Sequence, residues 1–190
     1  MSTLFVNNLT TASGTDITVG AGKTIKAPGM VVQAVFDDPT SAFTSGNGNT
    51  QVATTSTSYV NSGIKILITP KYANSLILIS GSLQMATPAN DYSYITMKRV
   101  ISGGATTDLG HVHADGRNFG IVTKGAGNAY GWDQVAIQYP DKPNTTSQIE
   151  YQFWHRNNST SGSTYLGWTS ASNGVLPHNQ LFLHALEIAQ

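Results

Sequence analysis

Ile64-Lys65-Ile66-Leu67-Ile68-Thr69-Pro70, followed closely by Ser75-Leu76-Ile77-Leu78-Ile79-Ser80-Gly81-Ser82-Leu83-Gln84-Met85, carries the clearest alternation in the chain. In an extended chain, successive side chains point to opposite faces. Ile64, Ile66 and Ile68 therefore share one face, and Pro70, which has no N–H to offer a sheet, ends the run. In the second run Ile77, Ile79, Leu83 and Met85 fall together, while Leu76, Leu78, Ser80, Ser82 and Gln84 fall on the reverse. A period of two, repeated across a short turn, predicts neighbouring strands with one face on a core.

The same pattern extends in both directions. Val31 to Phe36 opens the strand-forming body, and Asp37 to Asn49 reads as a polar loop before Tyr59-Val60. Tyr92 to Ile101 is a strand that stops at the turn Ser102-Gly103-Gly104. Shorter strands are expected over Thr106 to His113 and Asn118 to Val122. Trp132 to Tyr139 places Val135, Ile137 and Tyr139 on one face, with a turn over Pro140 to Asn144. Gln148 to Trp154 places Ile149, Tyr151 and Phe153 together. After a polar loop at Asn157 to Ser163 come Tyr165 to Trp168 and a closing strand, His178 to Ile188. That last strand is apolar on both faces, which suits a central strand or one covered by a neighbouring subunit. No segment carries a sustained helical period with caps. About eight to ten strands, spaced by Gly, Ser, Asn and Pro, predict an all-β, antiparallel β-sandwich, a jelly roll by preference.

Bulk properties narrow the function classes. The chain has 190 residues, of which 11% are charged, with ten cations balanced by ten carboxylates. An average globular protein carries about 25% charge. No basic stripe suggests nucleic acid, and the apolar residues gather in clear runs, which predicts a folded core. There is no cysteine, hence no disulfide, thiolate metal site or cysteine nucleophile. The N-terminal residues lack the basic region and apolar core of a signal peptide, and no run approaches the ~20 apolar residues that cross a bilayer. The expectation is a soluble protein made inside a cell.

Residues 1–30 differ from the rest. Leu4-Phe5-Val6, Ile17-Thr18-Val19 and Thr24-Ile25 are too short to bury a core alone, and Ala27-Pro28-Gly29 marks their boundary with the body. They read as an extended attachment arm or stalk, with the sandwich domain at residues 31–190. Three segments together carry a resemblance. They are Leu4 to Leu9 through Ser13 to Val19 with Gly22 to Ile25; Ala27 to Gln33 with Thr57 to Val60 and Ile66 to Pro70; and Pro143 to Thr146 with Leu186 to Ala189. In this order the chain resembles small tail-fibre-like virion structural proteins of cyanophages and other marine phages. The match runs over nearly the whole chain except its middle, Lys98 to Trp132. The resemblance implies a homotrimeric jelly roll, similar in shape to tumour-necrosis-factor-like domains, fixed by its N-terminal arm to other virion proteins of the tail, baseplate or capsid. It further implies a place in the virion after synthesis in the host bacterial cytoplasm, and contact with a host surface glycan or protein.

Candidate chemistry is sparse. Gly20-Ala21-Gly22-Lys23-Thr24 looks like the end of a phosphate-binding loop, but Ile17 stands where that loop needs its first glycine and Pro28 interrupts the helix that should come next. His111 and His113 would share a face on a strand. Repeated around a threefold axis they would make an imidazole ring suited to an octahedral transition metal, with Asp115 orienting one ring. Phage fibres are known to use such rings. The plainer reading is two surface histidines beside the loop Ala114 to Arg117. His184 reads as a hydrogen-bonded core histidine, and His155 and His178 border loops. Trp132, Trp154 and Trp168, with Tyr130, Tyr151 and Tyr165, suit core and trimer interface better than a sugar platform. No triad or paired-carboxylate spacing appears.

The expectation is therefore a trimeric fibre or baseplate appendage with no catalytic, cofactor or metal residues, no nucleic acid and no membrane insertion. Its rivals are a capsid decoration protein of the same fold, and a carbohydrate-binding module or small hydrolase. Asp37 to Asn49, Ala114 to Gly127 and Asn157 to Ser163 are the expected distal loops.

Overall fold

A computed structural model of the chain describes residues 27–36, 52–112, 118–127, 131–166 and 182–190. Among them are thirteen strands and no helix: β1 (Val31–Phe36), β2 (Val52–Thr54), β3 (Val60–Ile68), β4 (Leu76–Thr87), β5 (Tyr92–Ile101), β6 (Thr106–Asp108), β7 (His111–Val112), β8 (Asn118–Gly120), β9 (Val122–Gly125), β10 (Gly131–Asp141), β11 (Ile149–Asn157), β12 (Thr164–Leu166) and β13 (Phe182–Ile188).

Two antiparallel sheets carry nearly all of them. In sheet A, β10 runs along one flank of β4, while β13 and β12 share its other flank, with β1 beyond β13 and β2 beyond β12. Sheet B runs β3, β11, β5, with β6 and β9 end to end on the outer flank of β5. The pairings nest: β1 with β13, β3 with β11, β4 with β10, β5 with β9. The chain is thus one long hairpin rolled so that successive long strands alternate between sheets, which is the jelly-roll arrangement the sequence predicts.

The core lies between the sheets and is built by the period-two positions. Ile77, Ile79, Leu83, Met85 and Ile137 from sheet A meet Ile64, Ile66, Ile68, Ile149, Tyr151 and Phe153 from sheet B. Polar ties cross the gap where the apolar filling ends. Arg99 of β5 donates to both carboxylate oxygens of Asp141 on β10, at 2.8 and 2.9 Å, and the Tyr151 hydroxyl donates to the same carboxylate at 2.7 Å. At the open edge Lys124 of β9 pairs with Asp133 of β10.

Several boundaries depart from the sequence reading. Val60 to Ile68 is one strand because Gly63, at φ 78°, absorbs a bulge against Gln152 and Trp154. β10 continues through Pro140 to Asp141, in place of the expected turn. Among the described residues β10 pairs on one side only, with β4, and a strand so placed tolerates a missing N–H on the other. The expected strand Thr106 to His113 breaks at Gly110, and Asn118 to Val122 breaks at Ile121. β2 has no counterpart in the sequence reading. The expected turn at Ser102-Gly103-Gly104 is present, with positive φ at Ser102 and Gly103 and Gly104 N donating to Ile101 O at 2.8 Å.

β13 is the central strand its composition suggests, lying between β1 and β4. Its parity inverts the expectation for His184, which is half-buried on the outward face with its ring 5.9 Å from that of Phe36. The inward positions are Leu183, Ala185 and, against hydropathy, Glu187. Glu187 accepts from Lys71 N at 2.9 Å, Tyr72 N at 3.0 Å, Ser75 Oγ at 2.7 Å and Gln33 Nε2 at 2.8 Å. Burial alone would raise its carboxyl, but these hydrogen bonds together outweigh burial and hold it below the usual carboxylate value. One carboxylate thus ties β1 and the β3–β4 turn to β13. Of the expected arm, residues 1–26 lie outside the described residues. Residues 27–30 form a turn tied to the body, with Gly29 N donating to Ala189 O at 2.8 Å and Ala189 N to Met30 O at 2.9 Å.

Candidate interaction faces

The sandwich presents two broad outward faces. On sheet A the outward positions alternate with the core positions: Val31, Ala34 and Phe36 on β1; His184, Leu186 and Ile188 on β13; Leu76, Leu78, Ser80, Ser82 and Gln84 on β4; Gln134, Ala136, Gln138 and Pro140 on β10. None of these described residues is Asp, Glu, Lys or Arg. Val31 is 50% and Phe36 63% exposed, so large apolar side chains reach solvent at one border of the face. Besides His184, the polar side chains here are hydroxyls and amides, and Gln134 Nε2 donates to Ser82 Oγ at 2.9 Å.

Sheet B is finished differently. Lys65 Nζ sits 3.0 Å from Glu150 Oε2, Gln152 Nε2 donates to Glu150 Oε1 at 2.7 Å, and Trp154 Nε1 donates to Gln152 Oε1 at 2.9 Å. Burial would raise the Glu150 carboxyl, but the bonds from Gln152 and Lys65 outweigh it and hold it low. The Lys98 ammonium lies 4.0 Å from the Trp154 ring centre. The Arg156 guanidinium lies 3.8 Å from the Tyr94 ring and 5.3 Å from the Tyr59 ring. Burial pushes the Tyr59 hydroxyl up to about 12, against the opposing pull of Arg156.

From the outer edge of sheet B springs the hairpin β7–β8, which interrupts what would otherwise be one edge strand, β6 plus β9. Leu109 N donates to Met97 O at 2.8 Å before the excursion and Ile121 N to Ile95 O at 2.7 Å after it. Asp108 anchors the base, accepting from Thr96 Oγ1 at 2.6 Å, Gly110 N at 2.9 Å and Asn118 Nδ2 at 3.0 Å. Glycine is required where the hairpin meets β5: a Cβ on Gly120, at φ 69°, would overlap the Ile95 carbonyl.

The structure sorts the sequence candidates. His111 is exposed on β7, and His113 and Asp115 lie outside the described residues, as do the phosphate-loop-like segment 20–24, His178 and, of the expected distal loops, residues 37–49 and 114–117; the rest of the second expected loop is mostly strand, β8 and β9, and Asn157 of the third closes β11. Among the described residues no group of three or more His, Cys, Asp or Glu gathers as a metal site would need. Of the aromatics, Tyr151 is in the core, whereas Trp154 is half-buried on the outward face of sheet B. Tyr165 is half-buried on β12; Tyr130, Trp168 and the Trp132 side chain lie outside the described residues. His155 does not border a loop. It continues the buried face of Ile149, Tyr151 and Phe153 and is itself fully buried. The signal was available, since the period of two runs on unbroken to Asn157. No protein-family model matches the chain, and no curated protein does either.

Proposed function

We propose that the chain is a bacteriophage virion structural protein, a homotrimeric tail-fibre or baseplate-appendage subunit that copies of itself complete across the outward face of sheet A. The observation that carries this reading is the chemistry of that face. It spans four strands without a charged residue, although charge is present elsewhere on the surface, and it exposes Val31 and Phe36. Interfaces between identical subunits are depleted of charge at their centres and enriched in apolar side chains. A cyclic assembly repeats one contact around its axis, so a single neutral face meeting one neighbouring surface closes a ring. The ordered resemblance at both ends of the chain supports the virion assignment. Under this reading residues 1–30 attach the subunit to its neighbours in the particle. Sheet B, whose charged groups already have intrachain partners, and its hairpin are left to meet the host surface. No catalysis is assigned.

Light scattering on the purified chain tests the assembly, with a mass three times that of one chain expected; a clean monomer at micromolar concentration overturns it. Deleting residues 1–26 is expected to keep that mass and abolish incorporation into particles. Labelled protein found on heads instead of tails would replace the appendage reading by a decoration role.

A further inference from the structure

At one end of the sandwich the core turns polar. The inward row of sheet A closes with Thr54, Thr164 and Thr87, and that of sheet B with Asn157 and Ser93. The Ser93 and Thr164 hydroxyls share a hydrogen bond across the gap. Thr164 Oγ1 donates to Asn157 Oδ1 at 3.2 Å, and Asn157 Nδ2 donates to Gly162 O at 2.8 Å, which draws the 158–163 loop over the end. One pleat further in stands His155, between Val60 on β3 and Ile95 on β5. Both of its ring nitrogens, and the nearby row's Thr87 Oγ1, are buried without a hydrogen-bond partner among the described residues.

A neutral imidazole left unpartnered costs one donor and one acceptor; an imidazolium has two donors and a full charge. We propose that His155 is an acid-triggered release for this end of the sandwich: its protonation drives β12 and the 158–163 loop off the core so that water reaches the ring. No described neighbour is placed to accept the added charge. Beside His155 on sheet B stand Val60 of β3 and Ile95 of β5, and the buried side chains that close this end, Ser62, Ser93, Thr54, Thr87, Thr164 and Leu166, are all uncharged. The titratable groups bordering this end are already engaged: Asp91 by Tyr92 N and the Ser159 hydroxyl, and Lys124 with Asp133 by each other at the open edge. Arg156 points to the opposite face, onto the Tyr94 ring.

Burial lowers the His155 pKa to about 4, from an ordinary 6.5. The opened chain therefore takes up a proton that the closed chain refuses. The closed form has its full advantage above pH 6.5 and loses it as pH falls towards 4. The buried carboxyls of Glu187 and Asp91, with ordinary values of 4.5 and 3.8, titrate below most of that window. The release rests on the fold alone and does not depend on the proposed virion role.

Urea unfolding at pH 7 and pH 5 tests it in the wild-type chain and in His155→Leu. The folded-to-unfolded ratio of the wild type is expected to fall about twentyfold more over that interval than the ratio of the variant. Equal pH dependence in the two overturns the proposal. Should His155→Leu not fold, the His155 ring resonances and amide exchange of the wild type decide. Titration below pH 5, with protection lost first over residues 158–166 while the β4–β13 pairing persists, supports the release. Titration near 6.5, or loss of protection spread evenly over both sheets, overturns it.

Discussion

The outward faces of the two sheets obey the same alternation and end in opposite chemistry. On sheet B every long strand that faces outward brings a charge or a planar polar group, and each finds a partner within the chain: Lys65 with Glu150, Lys98 with Trp154, Arg156 with Tyr94 and Tyr59. On sheet A, β1, β13, β4 and β10 bring none. Both faces are mixed in size and polarity, so apolar content alone does not separate them. What separates them is charge, and charge is the property a surface sheds when another surface will take its water away. Among the described residues, sheet A's outward positions carry no Asp, Glu, Lys or Arg, which is why the proposed assembly is placed there.

An ion added to each face should affect the two very differently. Leu186→Glu puts a carboxylate in the middle of sheet A's outward face, next to Leu78 on β4. If copies cover that face, each would bury an unpaired charge at about 3–5 kcal/mol, repeated at every interface. The trimer is expected to fall to monomer by light scattering with the circular dichroism of the sheet intact. Leu67→Glu on sheet B, where Leu67 is already 39% exposed, is expected to leave the mass unchanged. Equal effects from the two variants would erase the distinction between the faces.

Asp141 lies behind the outward face of sheet A, on its core side. It belongs to β10, whose outward positions Gln138 and Pro140 lie on the proposed interface, but its own carboxylate points inward to Arg99 and Tyr151. Asp141→Ala would strand a half-buried guanidinium and leave the Tyr151 hydroxyl without its acceptor, and is expected to cost about 3 kcal/mol in urea unfolding. The protein that remains folded should still assemble. Loss of assembly at concentrations of urea well below the unfolding midpoint would mean that the interface depends on the cross-sheet clamp as well as on the outward face.

Much of this body is legible in the sequence. Period alone places Ile64, Ile66 and Ile68, Ile77, Ile79, Leu83 and Met85, and Ile149, Tyr151 and Phe153 in the core, and all are buried. Periodicity works there because one face is apolar and the other is not. It fails on β13, where both faces are apolar and parity is set by the donors converging on Glu187, a tertiary arrangement no local window contains. That failure turned His184 outward. It fails again at Pro140 and Gly110, whose roles depend on whether a neighbouring strand needs their N–H or their lack of a side chain. Which surface is the interaction face is only half legible, because the absence of charge on sheet A appears once register brings β1, β13, β4 and β10 side by side. His155 escapes for a simpler reason, a strand ended too early.

The smallest expected effect bears on how sheet B is finished. Lys65 is 48% exposed and Glu150 24%, and a pair so open to solvent contributes little, because water and salt screen it. Glu150 also keeps the bond from Gln152, itself bound by Trp154, when the lysine is removed. Lys65→Ala is therefore expected to change stability by no more than about 0.5 kcal/mol in urea unfolding. The residual loss should shrink further in high salt. A loss above about 1.5 kcal/mol would mean that the ions of sheet B act as one cooperative network. That face would then be structural in its own right, and the contrast with sheet A would be one between a braced face and a bare one.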